Sequence, residues 1–258
     1  MPPDWSPEVY ARHAGPRLRP ALDLLARVPL GEARAVVDLG CGSGALFPAL
    51  RRRFPDARLI GVDRSATMLA RAREVDEQAE LIHIDAAGWR PGEMVDLILA
   101  NASLQWIPGH ERLIHDLLRR CRCLAVQIPD NFAAPSHVLL YETMARPEWS
   151  SRLAGVELGN VSLGAEAYAA LASAAGAELD LWRTTYYHQL SGVAPVLDWM
   201  RGTALLPIHA VLGGAGSVDA AAFEAALGQS LAHAYPADHV GRVLFPFSRL
   251  FFVAARGG

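Results

Sequence analysis

The sequence predicts an α/β fold, a doubly wound and mostly parallel seven-stranded sheet with a helical lid built from late-chain insertions. Three observations carry this. Short apolar runs alternate with helical periodicity from residue 35 to 128, the pattern of a parallel sheet covered on both faces. The stretch VVDLGCGSGALFPAL sets a strand, a glycine turn and a helix in that order. After residue 131 the pattern turns helical, and strand-like segments return only late in the chain.

Taken in order, apolar periodicity predicts a helix near 17–28, strand 35–39, helix 44–54, strand 58–63, helix 66–75 and strand 80–84. Strands near 94–100 and 122–128 follow, with a helix around 110–119 between them. HVLLYETMAR and AEAYAALASAA read as helices split by the glycine-containing LAGVELGNVSLG, and DLWRTTYYHQL reads as a strand. Two further helices, 193–205 and 218–233, are separated by the flexible turn GGAGS, and VLFPFSRLFFVAAR is a last long strand. Residues 1–258 are read as a single domain in which roughly 131–177 and 193–235 supply cap elements. Open α/β sheets bind ligands at the carboxyl ends of their strands, so a lid belongs there.

Composition narrows the class. The chain has 258 residues, is 52% hydrophobic and carries a net charge of −3, enough for a sizeable core. Near-neutral charge argues against a nucleic-acid binder. No apolar span has membrane length, and the prolines and charges of MPPDWSPEVYARH do not make a secretory leader, so a cytoplasmic protein without a membrane partner is expected. Cys41, Cys121 and Cys123 are too few for a disulfide framework and are expected as reduced thiols. His83, His110, His115 and His137 lack ligand spacing, and no metal is expected. All 24 basic residues are arginine, which excludes Schiff-base and P-loop lysine chemistry and leaves guanidinium groups to hold anions.

Gly40, Gly42 and Gly44 let the backbone turn tightly and approach a ligand. The same residues satisfy a dinucleotide fingerprint if alanine is allowed at its last position, so the loop alone leaves nicotinamide and other adenosine cofactors open. Asp38 tilts the choice: two residues before the first glycine, its carboxylate repels a pyrophosphate and attracts a cationic ammonium or sulfonium. Asp63 ends the second strand, where a carboxylate reaches ribose hydroxyls. Asp85 ends the third and suits an adenine amino group. For Met68, packing on an adenine face and ordinary core packing stand side by side.

These residues resemble the class I S-adenosylmethionine-dependent methyltransferases, with VVDLGCGSG as first motif, GVDRS as the ribose acid and HIDAA as the adenine-side segment. ANASLQWIP, AVQIPDN, DLWRTTYYHQL and DWSPEVYARHAGPRLRPA, in the same order over nearly the whole chain, resemble the narrower family of bacterial trans-aconitate 2-methyltransferases. The resemblance implies a Rossmann-like methyltransferase fold, S-adenosyl-L-methionine as cofactor, and methyl-ester formation on a carboxylate of a small anionic polycarboxylate, with no obligate protein partner. Two positions depart from that family. Leu206 precedes Pro207 where an arginine is expected, and Phe132 follows the PDN loop where tryptophan is expected. A smaller acid or a carrier-bound malonyl thioester is the alternative substrate; a nicotinamide dehydrogenase and a silent cofactor binder are the alternatives from other classes.

A carboxylate is ionised at neutral pH and needs no general base, so no catalytic acid or base is assigned. Positioning is the expected task. Asn101 ends the fourth strand beside the expected methionine portion of the cofactor. Ser103, Gln105 and Trp106 follow as pocket-wall candidates, with core packing the alternative for Trp106. Arg17, Arg183, Tyr186, Tyr187 and His188 complete the substrate candidates, and Tyr10 and Arg19 are weighed as residues that close over the site. Alternate strand residues share a face, so Arg183, Thr185 and Tyr187 point one way and Trp182, Thr184, Tyr186 and His188 the other.

Overall fold

The computed structural model describes residues 14–158 and 162–256. The described elements are α1 (Ala14–Ala26), β1 (Ala35–Leu39), α2 (Phe47–Arg53), β2 (Arg58–Asp63), α3 (Ala66–Val75), β3 (Glu80–His83), β4 (Val95–Asn101), α4 (His110–Leu118), β5 (Cys121–Pro129), α5 (Pro135–Met144), α6 (Ser150–Leu153), α7 (Ala165–Ala174), β6 (Glu178–Ser191), α8 (Pro195–Arg201), α9 (Leu206–Val211), α10 (Val218–Ala234) and β7 (Arg242–Ala255). The strands form one sheet in the order β3-β2-β1-β4-β5-β7-β6. β1 to β5 pair in parallel and β7 runs antiparallel to β5. This is the seven-stranded, mostly parallel α/β sheet that the sequence predicts.

The chain divides into two compact units. Among the described residues, a sheet unit holds 14–129, 162–184 and 249–256, and a helical unit holds 130–158 and 185–248. In the sheet unit β1, β4 and β5 are near-continuous apolar runs because both their faces are covered. Val37, Ile98, Leu124 and Phe252 pack with Leu113 and Leu117 of α4 and with Tyr168 and Ala172 of α7. α1 packs on β4 and β5. Cys41, Cys121 and Cys123 are free, buried thiols, and burial pushes the latter two up to about 12.

In the helical unit Leu140, Trp199, Ile208, Phe223, Leu227 and Phe245 make a separate core. Trp149 stands edge-on to Phe223, ring centroids 5.2 Å apart. Arg201 donates to both Asp198 and Glu224, and Glu224 also meets His209 at 2.8 Å. Burial pushes the Glu224 carboxyl up, but Arg201 and His209 outweigh it, so the group sits below its ordinary range.

Two expectations are corrected. The helix expected over 193–205 is shorter, since α8 ends at Arg201 before Gly202, and a separate helix, α9, begins beyond that range at Leu206 with Pro207 in its first turn. Proline starts a helix readily but cannot continue one, because it lacks the N–H that the preceding turn would receive. α7, expected among the cap helices, packs in the core of the sheet unit through Tyr168 and Ala172. Its neighbour is α4, where His110 is fully buried and its Nε2 meets the Tyr168 hydroxyl at 2.9 Å. The same hydroxyl accepts from the Leu163 N–H at 3.1 Å, and His110 Nδ1 meets the Ile107 carbonyl at 3.2 Å. Burial lowers the pKa of His110, and both its ring nitrogens are engaged within the core by the Ile107 carbonyl and the Tyr168 hydroxyl.

Tyr168→Phe removes the acceptor of one N–H and the donor to one buried ring nitrogen. It is expected to lower stability to urea by about 1–3 kcal/mol, while activity per folded molecule stays unchanged.

Candidate active site

The carboxyl end of β1 turns at Gly40, whose φ of +82° suits glycine. A Cβ there would lie 2.4 Å from the Ser103 Cβ, so the turn and the segment after β4 approach as closely as backbone allows. Ser103 Oγ donates to the Leu39 carbonyl at 2.7 Å and closes the same contact. The Gly40 and Cys41 N–H groups donate to the Val62 carbonyl, which ties the loop to β2.

Asp63 then joins two backbones through one carboxylate. Its Oδ2 accepts from the Gly42 N–H and its Oδ1 from the Ser65 N–H, each at 2.8 Å. Ser65 in turn caps α3 by accepting from the Met68 N–H at 3.3 Å. Nothing lies within 4 Å of where a Cβ on Gly42 would stand, so the loop faces open space at that point. Asp38, on β1, is only 3% exposed. Burial, then the nearby Asp63 charge, push its carboxyl up to about 7. Asp38, Gly40, Gly42, Gly44 and Asp63 are thus drawn into one acidic, glycine-lined turn, as their spacing predicts. The Cys41 thiol between them is raised by burial, then by Asp38 and Asp63.

Met68 is buried on the first turn of α3. Asp85 is exposed; its carboxylate accepts from the Ala87 N–H at 2.8 Å and caps a 3-10 turn over Ala86–Gly88. At the end of β4, Asn101 is followed by Ala102 with φ +52°, a left-handed position that costs a non-glycine residue energy. The strained residue is held at both ends: its N–H donates to the Gln127 carbonyl at 2.9 Å, and its carbonyl accepts from Gln105 Nε2 at 2.8 Å. Gln105 is therefore buried, whereas its neighbour Trp106 is half-buried. Asn101 Oδ1 and Gln105 Oε1 are buried acceptors with no hydrogen-bond donor among the described residues.

The predicted alternation of β6 holds. Tyr186 and His188 are buried, and His188 stacks on Trp199 with centroids 4.5 Å apart, inside the helical unit. Arg183, Thr185 and Tyr187 take the opposite, exposed face, Tyr187 at 65% exposure, so the four substrate candidates of this strand do not share a face. Trp182 stacks on Phe251 in the sheet unit, centroids 5.0 Å apart, under the Arg27 guanidinium. Tyr10 and the Arg17 side chain lie outside what the structure describes. Arg19 is exposed beside Asp23 at 3.9 Å. Leu206 is half-buried at the start of α9, and Phe132 stands edge-on to the buried His137 at 5.7 Å. Sequence reasoning missed two buried polar residues of the strands, Gln127 and Arg249. Their signal was available, since each interrupts an otherwise apolar run.

A family model described as "Methyltransferase domain" matches residues 36–123, from β1 into β5. Over 258 residues the chain is 43% identical to a trans-aconitate 2-methyltransferase of Azoarcus sp., covering 98% of this chain and 100% of that protein. The chain belongs to the trans-aconitate 2-methyltransferase family. A member from Escherichia coli is 41% identical over 257 residues, with 98% of both chains covered. Among solved structures, the YcgJ protein from Bacillus subtilis matches with a TM-score of 0.57 at 14% identity, covering 92% of this chain and 98% of that one. The cyclopropane synthase MmaA2 of Mycobacterium tuberculosis matches at 0.54 and 13%, covering 92% and 83%. Both share the fold of the family. As a methyltransferase of this class the protein takes its methyl group from S-adenosyl-L-methionine. Among the described residues no helix is long and apolar enough to cross a membrane, and no cluster of His, Cys, Asp and Glu is set to hold a metal.

Asp38 generates a pH test. Its folded pKa of about 7 lies above the 3.8 of an ordinary aspartate, so the cofactor-free fold holds a proton that the unfolded chain releases. Stability from this group is fully present below pH 4 and is lost as pH rises to about 7. Asp38→Asn is expected to remove that slope. The cofactor-free variant should melt above the wild type at pH 8, by at least roughly 3 °C, with the gap closing towards pH 4.

Proposed function

We propose that the protein forms a methyl ester on one carboxylate of a small polycarboxylic acid, trans-aconitate before others. The observation that carries this is the similarity over the full length, at 41–43% identity, to proteins named for that substrate. The glycine turn supports the cofactor side. A buried carboxylate pushed up to about 7 and an unsatisfied Asn101 acceptor are both relieved by a cation, and neither suits a pyrophosphate.

The cofactor residues are assigned as Asp38, Gly40, Gly42, Gly44, Asp63, Met68, Asp85 and Asn101. When bound, S-adenosyl-L-methionine supplies an electrophilic methyl on a cationic sulfur, and transfer to a carboxylate yields the ester and S-adenosylhomocysteine without a proton changing hands. Asp38 holds negative charge for the cationic portion. Asp63 keeps its remaining lone pairs for ribose hydroxyls while it fixes the Gly42 backbone. Gln105, by holding the Ala102 carbonyl, sets the direction of the segment that carries Asn101. No side chain is asked to remove a proton, so orientation is the protein's whole contribution.

On the substrate side, Arg17, Gln105, Trp106, Arg183, Tyr186, Tyr187 and His188 remain candidates, each for its own variant to test. Guanidinium groups belong on carboxylates that do not react, because a strong donor on the attacking oxygen stabilises its charge more before transfer than during it. Leu206 supplies no such group. Arg201, close to it in sequence, is already engaged by Asp198 and Glu224.

Purified protein incubated with S-adenosyl-L-methionine and a panel of mono-, di- and tricarboxylic acids should release S-adenosylhomocysteine fastest with trans-aconitate and give a product heavier by one methyl group. Turnover with other acids alone would move the substrate; none at all, despite cofactor binding, would reject the reading. Cofactor affinity should also weaken about tenfold per pH unit below 7 in the wild type, and not in Asp38→Asn, as titration calorimetry would record.

A further inference from the structure

Gln127 is completely buried in β5, and Arg249, in β7, is 4% exposed. Both belong to the sheet unit. The register pairs Gln127 with Asn101 on β4 and with Phe251 on β7, and Pro129 with Arg249. Paired residues, and residues two apart, share a face. Asn101, Gln127 and Arg249 therefore stand on one face at the carboxyl ends of β4 and β5, where such sheets bind their ligands.

Arg249 Nη1 donates to Gln127 Oε1 at 3.1 Å. That bond decides which way the glutamine amide points. It leaves Gln127 Nε2, fully buried and without an acceptor among the described residues, as a second donor beside the guanidinium. A buried donor with nothing to donate to is rare and costly, and its place is normally taken by a ligand or water. A planar charged fork and a neutral amide donor side by side match the two oxygens of a carboxylate.

We infer that Gln127 and Arg249 anchor a substrate carboxylate, and that it is one that is not methylated. The inference rests on the proposed reaction and adds to it the residues that select a polyacid. A guanidinium would hold back an attacking oxygen, so the anchored group is a spectator. β7 lies two strands from β4, roughly 10 Å, which leaves the rest of a polyacid to extend towards Asn101 and the glycine turn. A monoacid has no second carboxylate to place there and gains nothing from the pair.

The test uses the full chain with two substitutions. Gln127→Glu sets a carboxylate beside Arg249 and competes with the substrate while preserving volume. Arg249→Gln removes the charge. Both are expected to raise the KM for trans-aconitate at least about 30-fold with kcat within about threefold, and to abolish preference for the polyacid over a monocarboxylic analogue. Affinity for S-adenosyl-L-methionine should stay within about twofold, which also certifies the fold. Calorimetric binding of trans-aconitate in the presence of S-adenosylhomocysteine should be lost in both. A folded, cofactor-binding Gln127→Glu with unchanged KM and unchanged acid binding overturns the inference alone. A wild type that neither binds nor methylates any acid of the panel overturns the proposed substrate, and the anchor with it.

Discussion

A carboxyl group kept out of water at the end of β1 is the constraint on which the glycine turn depends. Asp38 is buried beside Asp63, and neither burial nor that neighbour favours its ionised form. The surrounding structure is arranged to hold this arrangement in place. Asp63 spends one oxygen on the Gly42 N–H and the other on the Ser65 N–H, so the glycine loop and the α3 cap are fixed by a single group. Ser103 presses so close to Gly40 that no side chain fits between them. Electrostatic tension and tight backbone contact thus meet in one turn.

Much of this was legible in the residues. β1, β2 and α3 have the boundaries that the apolar runs predict, with Gly40 just after β1, Pro55 shortly before β2 and Ser65 between β2 and α3 as punctuation. The glycine turn with its two acids is legible for the same reason: local chemistry demands small residues and carboxylates at fixed spacing. The end of α8 at Arg201 was not, since Ala204 and Leu205 carry the apolar run on towards Leu206 and only Gly202 and Pro207 mark the break before α9. The packing of α7 was not either, because it depends on a hydrogen bond between Tyr168 and His110, 58 positions apart.

The β6 stretch shows where pattern stops and tertiary structure begins. Period-two alternation separates Tyr186 and His188 from Arg183 and Tyr187, but nothing in the alternation says which face is covered. The covered face is decided by Trp199 on α8 and Phe251 on β7. Gln127 and Arg249 are the complementary case. As isolated polar letters in apolar strands they suggest edge positions, and only the strand order, with β7 between β5 and β6, buries both. Polar residues that look like interruptions along the chain become neighbours across it.

The three buried thiols have a use that does not depend on the reaction. At neutral pH a thiol raised to about 12 is almost entirely protonated, and only the thiolate is alkylated. Cys121 and Cys123 on the interior strand β5 can react only when the sheet opens, whereas Cys41 lies in the glycine turn and reacts when that turn opens. Alkylation rates therefore make the native chain its own two-channel clock, one channel timing the turn and the other the whole sheet, with no foreign probe attached.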